Sequence, residues 1–296
     1  MNFLKVITLS LGDFETPVLT QYELGVLVQR LNLLKEYKGE PIDDLPGSIA
    51  SLGQFKKVLH ELEKVGVLSS YPGFTGSVYS LLGRKINDAE EIACSVDPFC
   101  YLSHLSAMAH HGLTNRIPIK IFVSSPDPKS WKAFATERMQ KDLKGDFAAY
   151  QDHGLPLLTR IKMEKIGRRE VHRFGSSHLG AYKNVRGKVL RVSTLGRTFL
   201  DMLRNPELCG GIHHVIEVYE EHAKTYQQLI VNELDQHGSP IDKIRAGYIL
   251  EEKMKLQDGA FENWLKFAQR GGSRKLDASG EYFPKWSDKW CLSLNL

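Results

Sequence analysis

Ser51-Leu-Gly-Gln-Phe-Lys-Lys-Val-Leu-His-Glu-Leu-Glu-Lys-Val-Gly66 is the stretch on which the fold turns. Ser51 is an N-cap type, and Gln54 stands three residues on, the spacing of a capping box. Phe55, Val58, Leu59, Leu62 and Val65 recur at three- and four-residue intervals, one face of a helix. Gly66 follows where a C-terminal cap belongs. The face opposite the apolar stripe carries Gln54, Lys56, Lys57, His60 and Lys64, while Glu61 and Glu63 share the helix. Val67-Leu68, a turn-rich Tyr71-Pro-Gly-Phe-Thr-Gly76 and an alternating run over 77–82 predict a two-stranded ribbon. Arg84 and Lys85 come directly after it.

Working upstream, Thr20-Gln-Tyr-Glu23 is another capping-box pattern. Leu24, Leu27, Val28, Leu31 and Leu34 behind it predict a helix over 21–35, with about twenty residues before it. A second helical segment over 42–50 is interrupted by Pro46-Gly47. Helix, short helix, helix and ribbon is the layout of a winged helix-turn-helix, whose third helix lies in the major groove of DNA while the ribbon touches the adjacent backbone. Lysines there contact phosphate and glutamine can pair with adenine. The candidate DNA-binding residues are thus Gln54, Lys56, Lys57, His60, Lys64, Arg84 and Lys85. Two other uses stay open: Gln54 as a cap, and the whole module as a protein-docking fold.

The rest of the chain mixes helices and strands. Helices are expected over 87–96 and 129–143, the latter with Trp131, Phe134 and Met139, and a strand over 117–123. Short strands joined by turns at Gly167-Arg168 and Arg186-Gly187 fill 158–191. The chain is then helical from Thr194 to about Phe267 and closes on a strand near its end. The expected fold class is α+β: a winged helix-turn-helix over 1–86, then a mixed α/β domain over 87–296 with a helical latter half.

Composition limits the function classes. The 296 residues are 42% hydrophobic and 25% charged, ordinary for a soluble globular chain. No apolar run reaches the roughly 18–20 residues of a membrane span, and Met1 to Leu11 has no basic region ahead of its apolar part, so no signal peptide is expected. Cys94, Cys100, Cys209 and Cys291 form no C-x-x-C pair, which fits reduced thiols and no zinc cluster. A cytoplasmic chain with no membrane contact is expected.

The net charge of +4 is unevenly placed. Residues 51–85 hold 5 Lys/Arg against 2 Asp/Glu, and residues 156–197 hold 11 against 2. Such asymmetry points to a polyanionic partner. Arg160 and Lys162 alternate with Ile161 and Met163, predicting one basic sheet face. With Arg168, Arg169, Arg173, Lys183, Arg186 and Lys188 they form a candidate second basic surface.

Enzyme readings find little support. Asp242 with Glu251-Glu-Lys253 loosely matches an acidic–acidic–lysine nuclease set, but lies in a predicted helix over 241–256, where such residues usually form surface pairs. His213-His214 with Glu217 offers metal-ligand types without a further ligand nearby. His110-His111 ends a helix, a capping role. Gly271-Gly-Ser-Arg-Lys275 reads as a flexible turn before a phosphate cradle. No G-x-S-x-G and no P-loop is present, and no cofactor, metal or catalytic residue is expected.

Two longer blocks carry a family resemblance. Tyr101-Leu-Ser-His-Leu-Ser-Ala-Met-Ala-His-His-Gly-Leu113 resembles the tyrosine-leucine-serine, small residue, histidine-glycine-leucine block of the AbiEi antitoxin family. Arg191-Val-Ser-Thr-Leu-Gly-Arg-Thr-Phe-Leu-Asp201 is similar to its strand-then-helix block, matching at Arg197, Thr198 and Asp201 but with Gly196 where an acidic residue is usual. Pro206-Glu-Leu-Cys-Gly-Gly211, Arg245-Ala-Gly-Tyr-Ile-Leu-Glu251 and the Trp290-to-Asn295 ending also match, in order. The resemblance implies a bacterial transcriptional autorepressor that binds double-stranded DNA at inverted repeats in its own promoter. It also implies the antitoxin of a neighbouring nucleotidyltransferase-like toxin, acting generally without a tight complex and without catalytic residues. Three alternatives stand beside it: an antitoxin whose basic second domain binds an acidic toxin directly, a stand-alone regulator, and a degenerate nuclease.

Overall fold

The computed structural model describes residues 1–296 except 44, 46–48, 75, 85–87, 177–179 and 270–273. The architecture is α+β, with helices and several separate sheets. Two compact units share the chain. Met1–Cys100, Ser125–Val171 and Arg186–Leu190 form the first; Tyr101–Ser124, His172–Val185 and Arg191–Leu296 form the second. The division by contacts therefore does not follow the linear cut at 86/87.

In the first unit, α1 (Phe3–Gly12) and β1 (Val18–Thr20) occupy the residues ahead of the helix predicted from Thr20. Asn2 caps α1, and Phe3, Val6, Ile7 and Leu11 are buried. α2 (Gln21–Leu34) opens on a complete capping box: Glu23 N donates to Thr20 Oγ1, and Thr20 N donates to Glu23 Oε2 at 2.8 Å. Lys35, at φ +56°, ends it in the left-handed region. A hairpin of β2 (Glu36–Tyr37) and β3 (Glu40–Pro41) follows, closed where Ile42 N donates to Lys35 O. The helix predicted over 42–50 is absent among the described residues there, because the hairpin and a hydrogen bond from Ala50 N to Gln29 Oε1 hold the backbone instead. α3 (Leu52–Lys64) then leads into the predicted ribbon, β4 (Leu68–Ser70) and β5 (Val78–Leu81). Leu68 faces Leu81 in that antiparallel pair, and β1 lies antiparallel on the other side of β5, giving the order β1-β5-β4.

α4 (Ala89–Val96) ends this leg. The chain passes through the second unit as β6 (Tyr101–Leu102), α5 (His104–His110) and β7 (Ile121–Pro126), so the strand predicted from 117 starts at Ile121. It returns as α6 (Pro128–Leu143), α7 (Phe147–Asp152) and β8 (Lys165–Ile166), which pairs with the first residues of β9 (Arg169–Ser176). α2 explains why this return belongs to the first unit. It is buried nearly all round, a pattern that needs cover on two sides. One side packs on α1 and α3. The other meets Leu143, Tyr150 and Leu155, and Tyr22 Oη donates to Asp142. A Cβ on Gly25 would lie 2.3 Å from the Tyr150 hydroxyl, so only glycine lets α7 come this close.

The second unit continues through β10 (Tyr182–Asn184), β11 (Arg191–Ser193), α8 (Leu195–Arg204), α9 (Ile212–His237) and α10 (Pro240–Gly247). A π-helical segment, Tyr248–Lys253, precedes α11 (Gly259–Leu265), and the chain ends on the hairpin of β12 (Trp286–Ser287) and β13 (Leu292–Ser293). Strand order is β10-β11-β6-β7-β9, with β6 and β11 parallel. The helical core gathers Phe199, Leu203, Val215, Tyr219, Ile249 and Trp264. Each such side chain contributes about 1.5–3 kcal/mol when fully buried.

Candidate nucleic-acid interface

α3 is held from below and open above. Ser51 Oγ accepts from Gln54 N, and Phe55, Val58 and Leu62 are buried. Lys56, Lys57, His60 and Lys64 are exposed. Lys64 lies 3.9 Å from Glu61, a surface pair worth little. The predicted reciprocal cap from Gln54 does not form. Its side chain turns into the unit, where Nε2 donates to Asn32 Oδ1 at 3.3 Å, tying α3 to α2. Arg84 is half-buried and donates to Gly12 O, while Lys85 lies outside the described residues. The β4–β5 turn has no Lys or Arg, but a Cβ on Gly73 would lie 3.9 Å from Lys165 O. The β8–β9 turn, with exposed Lys165 and Arg168, therefore flanks the ribbon. Sequence spacing could not show that neighbour, because about ninety residues separate the two turns.

The second basic stretch is not one sheet face. Residues 155–163 form no strand, so the alternation of Arg160 and Lys162 has no pleat to act on. Arg160, Lys162, Arg168, Arg169, Arg186 and Lys188 fall in the first unit; Arg173 and Lys183 fall in the second. Much of the charge is also answered locally. Arg169 pairs with Glu90 at 3.2 Å, Lys188 with Asp88 and Glu91, and Lys162 with Glu164 at 2.6 Å. Arg197 is buried against Asp201. The acidic residues at 88–91 come from a segment distant in sequence, so a linear charge count overstates the open positive surface.

Most of the matched side chains of the family-like blocks are buried in the second unit, while His110, His111 and residues 192–196 line a pocket beside α9. Arg197 Nε donates to Asp201 Oδ1 at 2.7 Å, with the side chains 3% and 2% exposed. Arg197 also reaches Ser176 Oγ, and Thr198 Oγ1 shares a hydrogen bond with Ser193 Oγ. Tyr101 is buried and stacks on Tyr182 at 5.1 Å. A Cβ on Gly196 would lie 2.5 Å from Leu229 O and 2.9 Å from Glu233 Cβ, so α8 and α9 touch where a larger residue has no room. Glu233 presents a carboxyl beside Arg197, and burial pushes that carboxyl up from its usual range. Arg245 donates to Leu203 O and Lys275 O. Gly247 lies against the buried Trp290 ring, where a Cβ would fall 2.2 Å from a ring carbon. Asn295 bonds the backbone of Asp277 and Glu281. These residues join distant segments of one core.

His104 sits inside this cluster, fully buried at φ +49°, a conformation that costs a non-glycine residue energy. Its Nδ1 shares a 2.8 Å hydrogen bond with Ser103 Oγ, and its ring meets Phe174 edge-on. Burial holds it below its usual pKa, despite Asp201 nearby. The folded state thus binds the His104 proton less readily than the unfolded chain, which takes it up as pH falls through about 6.5. Its contribution is present above that pH and is lost as pH falls. His104→Asn, which tolerates the left-handed backbone, should be less stable than wild type at about pH 7.5. That gap should narrow by about pH 5.5 in denaturant melts; a gap independent of pH would contradict a neutral buried His104.

The other constellations disperse. Asp242 caps α10 and accepts from Arg204; Glu251 pairs with Lys289, Glu252 with Ser287, and Lys253 with Glu220. His214 bonds Thr114 and lies 3.5 Å from Glu217. His111 Nε2 donates to Ser193 O. Residues 270–273 of the glycine-rich turn lie outside the described residues. Among the described residues no group of three or more His, Cys, Asp or Glu is placed to hold a metal ion, and no helix is long and apolar enough to cross a membrane.

No protein-family model and no curated protein matches this chain. Among solved structures it is similar to the crystal structure of the RV2827C protein from Mycobacterium tuberculosis. The TM-score is 0.50 and the identity 12%, over 97% of this chain and 89% of that one. At that identity the likeness is one of fold alone.

Proposed function

We propose that this chain is a cytoplasmic, DNA-binding transcriptional repressor, with α3 as the reading helix and β4–β5 as the wing of a winged helix. One observation carries the reading. α3 buries its apolar stripe on α1 and α2 and turns Lys56, Lys57, His60 and Lys64 outward, beside a sheet ordered β1-β5-β4. The lysines would contact phosphate, and Lys165 and Arg168 beside the wing would extend that contact. The order of the family-like blocks supports a further proposal: that the repressor is the antitoxin of a nucleotidyltransferase-like toxin and controls its own promoter. Titrating the purified chain against the duplex upstream of its gene tests the first proposal. Tighter binding to that duplex than to a shuffled one of equal length is expected, and equal affinity would refute specific repression.

A surface feature favours a second reading, direct contact with a protein toxin. Ile117 and Ile119 are each 88% exposed, on either side of Pro118 and between Arg116 and Lys120. Arg116 anchors this loop by donating to Gly210 O. A protruding apolar pair with basic flanks suits a notch with an acidic rim. Ile117→Ser with Ile119→Ser should abolish rescue from the toxin and spare DNA binding. Full rescue by the double variant would eliminate direct contact through this loop.

A further inference from the structure

The first unit contains a cavity of about 660 Å³, within the range of small-molecule sites. α2, the end of α4, and α6 build it. Val26, Leu27, Val96, Leu143 and Leu158 supply apolar lining. Leu33 and Leu34 also line it and are 40% and 54% exposed, a large apolar surface to leave in water.

The polar lining carries charges of both signs. Asp142 is already engaged by Arg138 Nε at 2.8 Å and by Tyr22 Oη at 3.0 Å. Glu23 is engaged by Thr20 through the α2 cap. The lining thus holds three carboxylates, Glu23, Asp142 and Asp146, and three cations, Arg30, Arg138 and Lys144, of which Arg138 is paired with Asp142. Among the described residues Arg30 and Lys144 have no ion pair, and Arg138 donates only through Nε. Lys144 moreover sits at φ +51°, ψ −127°, a strained conformation for a non-glycine residue and one found at ligand clamps. An apolar slot with a guanidinium fork and a further cation at hand fits an anion with an apolar tail.

We propose that this cavity binds an apolar monocarboxylate, its chain between α2 and α6 and its carboxylate on Arg138 with Arg30 and Lys144. The same α2 holds the reading helix from its other side, through Asn32 to Gln54 and Gln29 to Ala50. An occupant that packs against α2 therefore steadies α3 as well.

Calorimetric titration of the full chain with decanoate, decanol and decylamine tests the site. Decanoate should bind at least about tenfold more tightly than either matched control. Arg138→Gln with Arg30→Gln should remove that preference and leave decanol affinity unchanged. Val26→Trp, which fills the slot, should abolish binding of all three; should it fail to fold by circular dichroism, the arginine variants carry the test alone. Hydrogen exchange over 21–34 and 52–64 should slow with decanoate. Absence of decanoate binding, equal affinity for decanoate and decanol, or a preference that survives both arginine substitutions would overturn the site. Unchanged exchange in 52–64 would overturn the link to α3. No DNA is present in these measurements, so their outcome is separate from that of the proposed DNA function.

Discussion

Arg197→Met is expected to destabilise the protein by about 3–5 kcal/mol, the usual result of removing one partner from a buried ion pair. Asp201 is 1% exposed, and among the described residues its Oδ2 has no hydrogen-bond partner. Without Arg197 the buried carboxylate must stay charged without its cation or take up a proton, and both cost stability. The loss is comparable to the whole folding free energy of a marginal domain. Asp201→Leu alone should also destabilise, since it removes the 2.7 Å partner of a buried guanidinium and leaves Ser176 and the neighbouring Glu233 carboxyl beside it. The double variant should recover part of the loss, because the two charges of the pair go together while the Glu233 carboxyl keeps no guanidinium beside it. Denaturant unfolding of the wild type, both single variants and the double variant measures this coupling. Additive single effects would mean that the two residues do not act as a pair.

The family resemblance implies no catalytic role for Arg197, Thr198 and Asp201. Their burial, with the packing of Gly247 on Trp290 and the backbone bonds of Asn295, assigns them to holding one core together. Gly196 is explained the same way. The residue that departs from the family pattern stands where α8 crosses α9.

Reversing Lys56 and Lys57 to glutamate should have the largest effect on DNA affinity. Both are exposed on α3, so folding should be spared. Each phosphate contact removed should lower the salt slope by about 1 and weaken binding to every sequence alike. Gln54→Ala should behave differently. Its amide is bonded to Asn32 inside the unit, so the variant should lose about 0.5–1.5 kcal/mol of stability with base preference unchanged. A changed base preference at one position, with stability intact, would instead return Gln54 to base reading.

The parts of the fold that were legible in the sequence are those fixed by local pattern. α3, α2 and the β4–β5 ribbon follow from caps and periodicity, and so do α6 and α4. α1 and β1 carry no capping-box signal, although Val6, Ile7 and Leu11 show helical spacing. The interleaving of the two units left no local trace. It rests on Gly25 against Tyr150 and Tyr22 against Asp142, contacts across more than a hundred residues. The charge of 156–197 was legible as a count but not as a surface, since its partners Asp88, Glu90 and Glu91 precede it by about eighty to a hundred residues. The apolar run over 117–123 predicts a strand, but Pro118 cannot donate to a ladder and the strand starts at Ile121.

The most direct test of DNA binding through α3 is an anisotropy titration of the promoter duplex over a series of salt concentrations, on wild type and on the Lys56→Glu, Lys57→Glu double variant. The wild type should bind with a log affinity that falls steeply and linearly with log salt, and the variant should bind more weakly, with a slope shallower by about 2. No binding by the wild type, or an affinity and slope unchanged by the double reversal in a folded protein, would contradict the account.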